Sequence, residues 1–380
     1  MNDFQTLNNS KGGNEHPRKR DSNIELFRII TMLLIVSHHY VVNSGLTKDG
    51  SPLLIAPLSG NSILYLMLGA WGKIGINCFV MITGYFMCKS TITARKFVKL
   101  VSEWLFYRYV IHAVFFITGY ETFSAKNVVK AVIPITSVQT NFTACFVLFW
   151  LCIPFLNILI KGMNERQHIR VLLLMGVVYV LFGTIHQVTM NYVSWFSVIY
   201  LISSYIRLYP KKCFENIKLW VVLTLLCILV SSASVIGCAW TGTKINRFAP
   251  FFMVTDSNTF LAVVTGICAF MLFKNIHIPY NKVINTIGAS TFGVLCIHAH
   301  SDSMRRWLWK DTIDCVGHFN APLYALLCIL AVFAVCTVID IIRINMIEKP
   351  LLKLWDKKWD NIYCRFEKKE ALIFKKLNVD

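Results

Sequence analysis

Residues 21–44 read DSNIELFRIITMLLIVSHHYVVNS. The apolar run inside this stretch has the ~20 residues that a bilayer crossing needs, yet it carries Glu25 and Arg28 at one end and His38 and His39 near the other. Lipid gives no reason to keep them. An ionisable group at the bilayer centre costs at least about 2.5–3.5 kcal/mol on insertion scales, so it faces protein or a wet cavity. From Arg28 to His39, eleven helical steps of roughly 100° return almost to the starting direction. Both therefore lie on one helix face, about 16 Å apart along the axis. One stripe holds a fixed cation near one membrane surface and a titratable imidazole well inside. His38 lies about 100° around the helix and reads as packing or as an orienting partner.

Composition extends this reading to the whole chain. At 380 residues, 56% hydrophobic and 15% charged, with a mean hydropathy of +0.56, it is too apolar for a soluble globular protein. The net charge of +18 lies mostly in the tails and in alternate loops, so it is a topology signal rather than a nucleic-acid footprint. Most of the thirteen cysteines, Cys78, Cys145 and Cys268 among them, sit in apolar runs without CxxC or CxxH pairing. They read as small hydrophobes, and no metal or redox site is expected. Residues 1–21 are polar and are expected to be a disordered cytoplasmic tail. They lack the basic, apolar and small-residue order of a cleavable signal. Asp21 or Ser22 offers an N-cap, with Glu25 placed as in a capping box.

The expected fold is all-α, a polytopic membrane protein of about ten transmembrane helices. The spans read near 24–43, 62–88, 96–119, 142–161, 170–186, 193–209, 217–240, 250–273, 285–300 and 321–346. Pro154 should break the fourth. With the N-terminus inside, the inner segments hold 28 Lys and Arg against eight in the outer ones, with Lys73 and Arg108 left within spans. The positive-inside rule thus predicts both termini in the cytoplasm. Residues 22–347 form the membrane domain. From 348 to 380, apolar residues such as Leu351, Trp355 and Trp359 recur at helical spacing among lysines, which predicts a basic amphipathic helix on the anionic leaflet. No loop is long enough to hold a soluble catalytic domain, so any chemistry belongs to the membrane domain.

Few other polar groups need an explanation. Lys73 and Asn77 stand one turn apart in the second span, and Lys73 reads as an interior cation or as one able to reach outer water. In the third span Arg108 and His112 share a face, while Glu103 suits a structural ion pair as well as a catalytic role. The ninth span runs outward, which puts His298 at a depth similar to His39. The two imidazoles are expected to converge near the outer side.

These residues carry a resemblance. NIELFRIITMLLIVSHHY looks like the first helix of the membrane-bound acyltransferase family 3, whose signature is an arginine followed by ten residues and a histidine, here Arg28 and His39. INCFVMITGYFM, FWLCIPFLNILI, WFSVIYLISSYIRLYP, STFGVLCIHAH with Arg305, Arg306 and Trp309 beyond it, and the Asp340 to Lys349 run are similar to its later segments, in the same order. One departure is Leu295-Cys296 before Ile297-His298, where a tyrosine and leucine are expected. The resemblance covers nearly all of 22–350 and is to stand-alone members without a fused esterase-like domain.

It implies an O-acyltransferase of the cell membrane. Such an enzyme moves an acyl group, usually acetyl, from cytoplasmic acyl-CoA to a hydroxyl of an extracytoplasmic polysaccharide or lipid-linked glycan. Acetyl-CoA is then a donor substrate rather than a resident cofactor, and the other partners are the acceptor and membrane lipids, not nucleic acid. Arg28 suits the donor's phosphates, because its planar fork makes charge-assisted hydrogen bonds. His39 serves as general base or acyl relay, and Lys73, Arg108 or His298 would stabilise the thioester oxyanion. The competing reading is a transporter or flippase for a glycan precursor, against which stands the lack of corresponding broken spans in two halves.

Overall fold

A computed structural model gives the fold and describes residues 20–132, 142–185, 191–356 and 358. Among these the chain is helical, with no strand, and seven helices are long and apolar enough to cross a membrane. They are α1 (Ser22–Val42), α2 (Gly60–Met87), α3 (Ala94–Ile117), α4 (Phe142–Gly162), α5 (Glu165–Ile185), α7 (Ile217–Ile245) and α11 (Pro322–Asp356). Between them lie two shorter apolar helices, α6 (Tyr192–Leu208) and α8 (Phe260–Asn275). A bent pair, α9 (Lys282–His298) and α10 (Asp302–Thr312), turns by 93° and counts as an eighth span if taken together. The protein is an all-α polytopic membrane protein. Most of the expected N-terminal tail, and the basic tail beyond residue 358, lie outside the described residues.

Each expected span falls on a helix, and the differences have local causes. The eighth starts at Phe260 rather than near 250, because Pro250 and the polar run Thr255 to Thr259 hold the chain in turns and leave Thr259 at the N-cap position. Pro154 does not break α4, which runs continuously through it. The last helix does not stop near 347 but continues to Asp356. A π turn at Ile344–Glu348 precedes Pro350, which has no N–H to donate back, and the wider turn carries the helix past it. At the start of α1 there is no capping box. Asp21 makes no side-chain cap bond, and Glu25 faces Arg20 at 3.4 Å and Arg28 at 3.7 Å instead. Ser22 binds the start of α9, donating to Asn285 Oδ1 and accepting from the Asn281 N–H.

Burial sorts the helices. In α1 and α2, 56% and 61% of the apolar window is buried, against 11% in α5 and 17% in α7. The last two present Leu173, Leu174, Leu225 and Leu229 outward, as lipid-facing helices do. α2 is the hub, packed on α1, α6 and α8. Asn77 fixes this junction: its Nδ2 donates to the carbonyls of Ser257 and Ala262, and its Oδ1 accepts from Trp195 Nε1 at 3.0 Å. Gly84 brings α2 against α6, where any side chain would strike Ser203.

Candidate active site

α2 is interrupted at Ala70–Trp71, which orphans carbonyls in the middle of the bundle. α1 satisfies them: Ser37 Oγ donates to Leu68 O at 2.8 Å, and His38 Nδ1 bonds Gly69 O at 2.5 Å. A carbonyl only accepts, so His38 Nδ1 carries the proton. Gly72 has to be glycine here, because a Cβ would enter the His38 ring. His38 therefore pins the break in α2.

One position on, His39 points elsewhere. Its Nδ1 lies 3.0 Å from Nε2 of the fully buried His298, whose own Nδ1 lies 2.6 Å from the Val294 carbonyl. That carbonyl fixes the chain of protons. His298 must donate from Nδ1, so its neutral ring accepts at Nε2, and the bridging proton belongs to His39 Nδ1. The lone pair of His39 is then on Nε2, which has no partner among the described residues. The arrangement is that of a base held by an orienting second group, with an imidazole as the orienter.

His39 lines a cavity of about 380 Å³ together with Ile35, His38, Asn43, Lys73, Thr143, Tyr192, Thr255, Leu295 and Arg305. Lys73 Nζ donates to Tyr192 Oη at 3.0 Å and lies 3.8 Å from Asp256. Lys73 is thus mostly buried and lines the same cavity as His39. The cavity collects the end of α1, the starts of α4 and α6, the segment before α8 and the end of α9. These are the ends that strict alternation of the expected spans would put on one side.

Arg28 sits at the opposite end of α1 in a second cavity of about 460 Å³, with Arg20, Glu25, Phe86 and Arg207. Arg207, from the end of α6, was not marked by sequence reasoning. It donates to Tyr85 Oη at 2.8 Å, and its buried Nε has no partner. Between the cavities stands Phe79, whose ring is 6.0 Å from the Arg28 guanidinium and 6.4 Å from Phe142 on the wall of the His39 cavity. Arg108 joins neither cavity; it is buried on α3, 6.0 Å from the Trp104 ring. Its helix neighbour His112 pairs with Glu121 at 2.9 Å and packs on His300. Asn43, one turn beyond His39, and Arg305 are among the other cavity residues not singled out from sequence as site residues. Asn43 had a signal in its i+4 spacing from His39, whereas Arg305 reaches the cavity only through the bend after α9.

Helices, a break in α2 and a hydrogen-bonded imidazole pair beside a cavity of about 380 Å³ define a membrane protein with a polar site inside its bundle. Residues 21–341 match the family model described as Acyltransferase domain, and the chain belongs to that family, acyltransferase family 3. It is a membrane acyltransferase. No curated protein and no solved structure matches the chain.

Proposed function

We propose that this acyltransferase moves an acyl group, acetyl in the first instance, from cytoplasmic acyl-CoA to a hydroxyl of an extracytoplasmic cell-surface polysaccharide or glycolipid. The observation that carries the reading is the division of labour along α1. Arginines line the cavity at one end, and a free imidazole lone pair lines the cavity at the other. The positive-inside bias supports a cytoplasmic arginine end, with both termini on that side, in the plasma membrane we propose. Arg20, Arg28 and Arg207 suit the donor's phosphates, which cannot enter hydrocarbon. The thiol arm then runs past Phe79 toward His39.

At His39, Nε2 takes the proton of the acceptor hydroxyl as its oxygen attacks the thioester carbonyl. His298 accepts the Nδ1 hydrogen bond throughout and steadies the imidazolium that forms. Lys73 is placed to stabilise the oxyanion. The C–S bond breaks, and the imidazolium returns its proton to the thiolate to release free thiol. An acyl-histidine relay would use the same lone pair.

Labelled acetyl-CoA offered to right-side-out and inverted vesicles holding deacylated surface glycan tests donor, acceptor and sidedness together. Glycan labelling is expected only when the donor meets the Arg28 end. Labelling with the donor confined to the His39 end, or none in either orientation, overturns the proposal. Arg28→Ala should raise the donor concentration needed for half-maximal rate.

A further inference from the structure

The cavity at His39 has an uneven charge. Its titratable lining is His38, His39, Lys73, Tyr192 and Arg305, without one carboxylate among the described residues. The nearest acids to the two cations stand outside: Asp256 is 3.8 Å from Lys73, and Asp302 is 3.1 Å from Arg305 with a side chain 99% exposed. A solvated carboxylate on a neighbouring turn offsets little of a cation's field toward the cavity. Lys73 is further occupied by Tyr192. Arg305 is occupied only in part: its side chain is 34% exposed and its Nη1 donates to Asp302 Oδ1, while its Nε, like Asn43 Nδ2, is buried without a hydrogen-bond partner. Buried donors of this kind are costly when left unpaired and are commonly completed by a ligand.

Arg305 and Asn43, each with one unpaired donor, therefore line the same cavity as His39. Resting on the acyltransferase reading above, we infer that the acceptor is an anionic glycan. Its carboxylate or phosphate is held by the Arg305 guanidinium and the Asn43 amide of the cavity wall, so that a neighbouring hydroxyl is presented to His39 Nε2. A guanidinium and an amide nitrogen supply two N–H groups to two oxygens of one anion, which fixes orientation as well as charge. A neutral sugar would leave both donors buried and unpaired, and discrimination of this kind comes from that loss.

The test uses the full chain in proteoliposomes, with labelled acetyl-CoA at the Arg28 end and matched glycosides at the other. These are a glucoside, the corresponding glucuronide, the methyl ester of that glucuronide, and a glucoside carrying a phosphate. Labelling of the glucuronide or the phosphorylated sugar is expected to exceed that of the glucoside and the ester by roughly tenfold or more, the usual scale for a hydrogen bond to a charged group. Whichever of the two is favoured identifies the anion as carboxylate or phosphate. Arg305→Gln should bring the anionic-to-neutral ratio toward one. Equal labelling of charged and neutral sugars by the wild-type protein overturns the inference, as does an Arg305→Gln protein that loses activity on both in the same proportion, which would place Arg305 on the donor. Absence of label from every glycoside overturns the glycan reading and this inference with it.

Discussion

Two groups of ionisable side chains are buried in this bundle, and they are built in opposite ways. Where α3 meets α11, Arg343 contacts Asp340 at 2.8 Å, Glu348 at 2.9 Å and Glu103 at 3.2 Å. Lys99 adds a second cation on Glu348 at 2.7 Å, and Tyr107 donates to Asp340 at 2.7 Å. Helix α9 accommodates the cluster with Gly293, since any side chain there would overlap the Asp340 carboxylate. Every carboxylate has a cation, although Glu103 Oε1, Asp340 Oδ2 and Arg343 Nη2 make no hydrogen bond of their own, and none of these groups lines either cavity. At His39 the pairing is looser: the imidazole is half-buried, its Nε2 has no partner among the described residues, and the flanking cations Lys73 and Arg305 pair only with acids outside the cavity, at 3.8 and 3.1 Å. Buried charge by itself does not mark function in a membrane. Charge left unanswered beside a cavity does, because only a ligand can complete it.

Replacing His39 should separate the two groups most sharply. His39→Ala is expected to reduce transfer by ~10²–10⁴-fold, the range of a general base, and by more if the histidine also carries the acyl group. The protein should still insert and keep its melting temperature in detergent, because the lost ring contacts a cavity. Acceptor acylation at the normal level in cells carrying this variant would end the assignment of His39.

Arg343→Met is the counterpart in the closed cluster. Removing the cation leaves Glu103 and Asp340 buried without one, which costs about 3–5 kcal/mol. Thermal unfolding in detergent should show a large loss of stability. Activity per folded molecule, measured on the surviving fraction, should stay near normal. A stable but inactive Arg343→Met protein would show that the cluster takes part in transfer and that the division drawn here is wrong.

His298 tests how far the orienting role extends. His298→Ala removes the acceptor for His39 Nδ1–H and should lower kcat by roughly 10- to 100-fold, below the effect at His39 itself, since the base remains. His298→Asn keeps an acceptor oxygen and should recover part of the rate. If alanine and asparagine behave alike, the ring acts through packing and not through the hydrogen bond.

Much of this was legible in the sequence because a bilayer imposes simple rules. Hydropathy placed a helix under each expected span, and the 3.6-residue period put Arg28 and His39 on one stripe. The outward run of the ninth span brought His298 to the right depth. Glu103 was legible as half of an ion pair, although its partner Arg343 was not. What failed was local competition and tertiary convergence. The capping box at Ser22 lost to Arg20 and Arg28, which hold Glu25 by charge. Arg108 shares a helix face with His112, but Arg108 lines neither cavity. Arg207 and Arg305 reach their cavities from helices far along the chain, through the end of α6 and the bend after α9. A one-dimensional period cannot report such meetings.

Arg207 gives the smallest effect and the finest test of the contrast. Its guanidinium is partly answered, by the hydroxyl and ring face of Tyr85, with the cation 4.6 Å from the ring centroid. Its Nε is left buried and unpaired beside the Arg28 cavity. If unanswered donors mark ligand contacts, Arg207→Ala should raise KM for acetyl-CoA by about tenfold, the lower end for a hydrogen bond to a charged group. Its kcat should change little, because the phosphates lie far from the reacting carbonyl and hold ground state and transition state alike. Arg207→Lys should recover only part of the affinity, since an ammonium keeps the charge but not the planar fork. An unchanged KM with a lowered melting temperature would assign Arg207 to the closed kind of cluster, with Tyr85 as its sufficient partner.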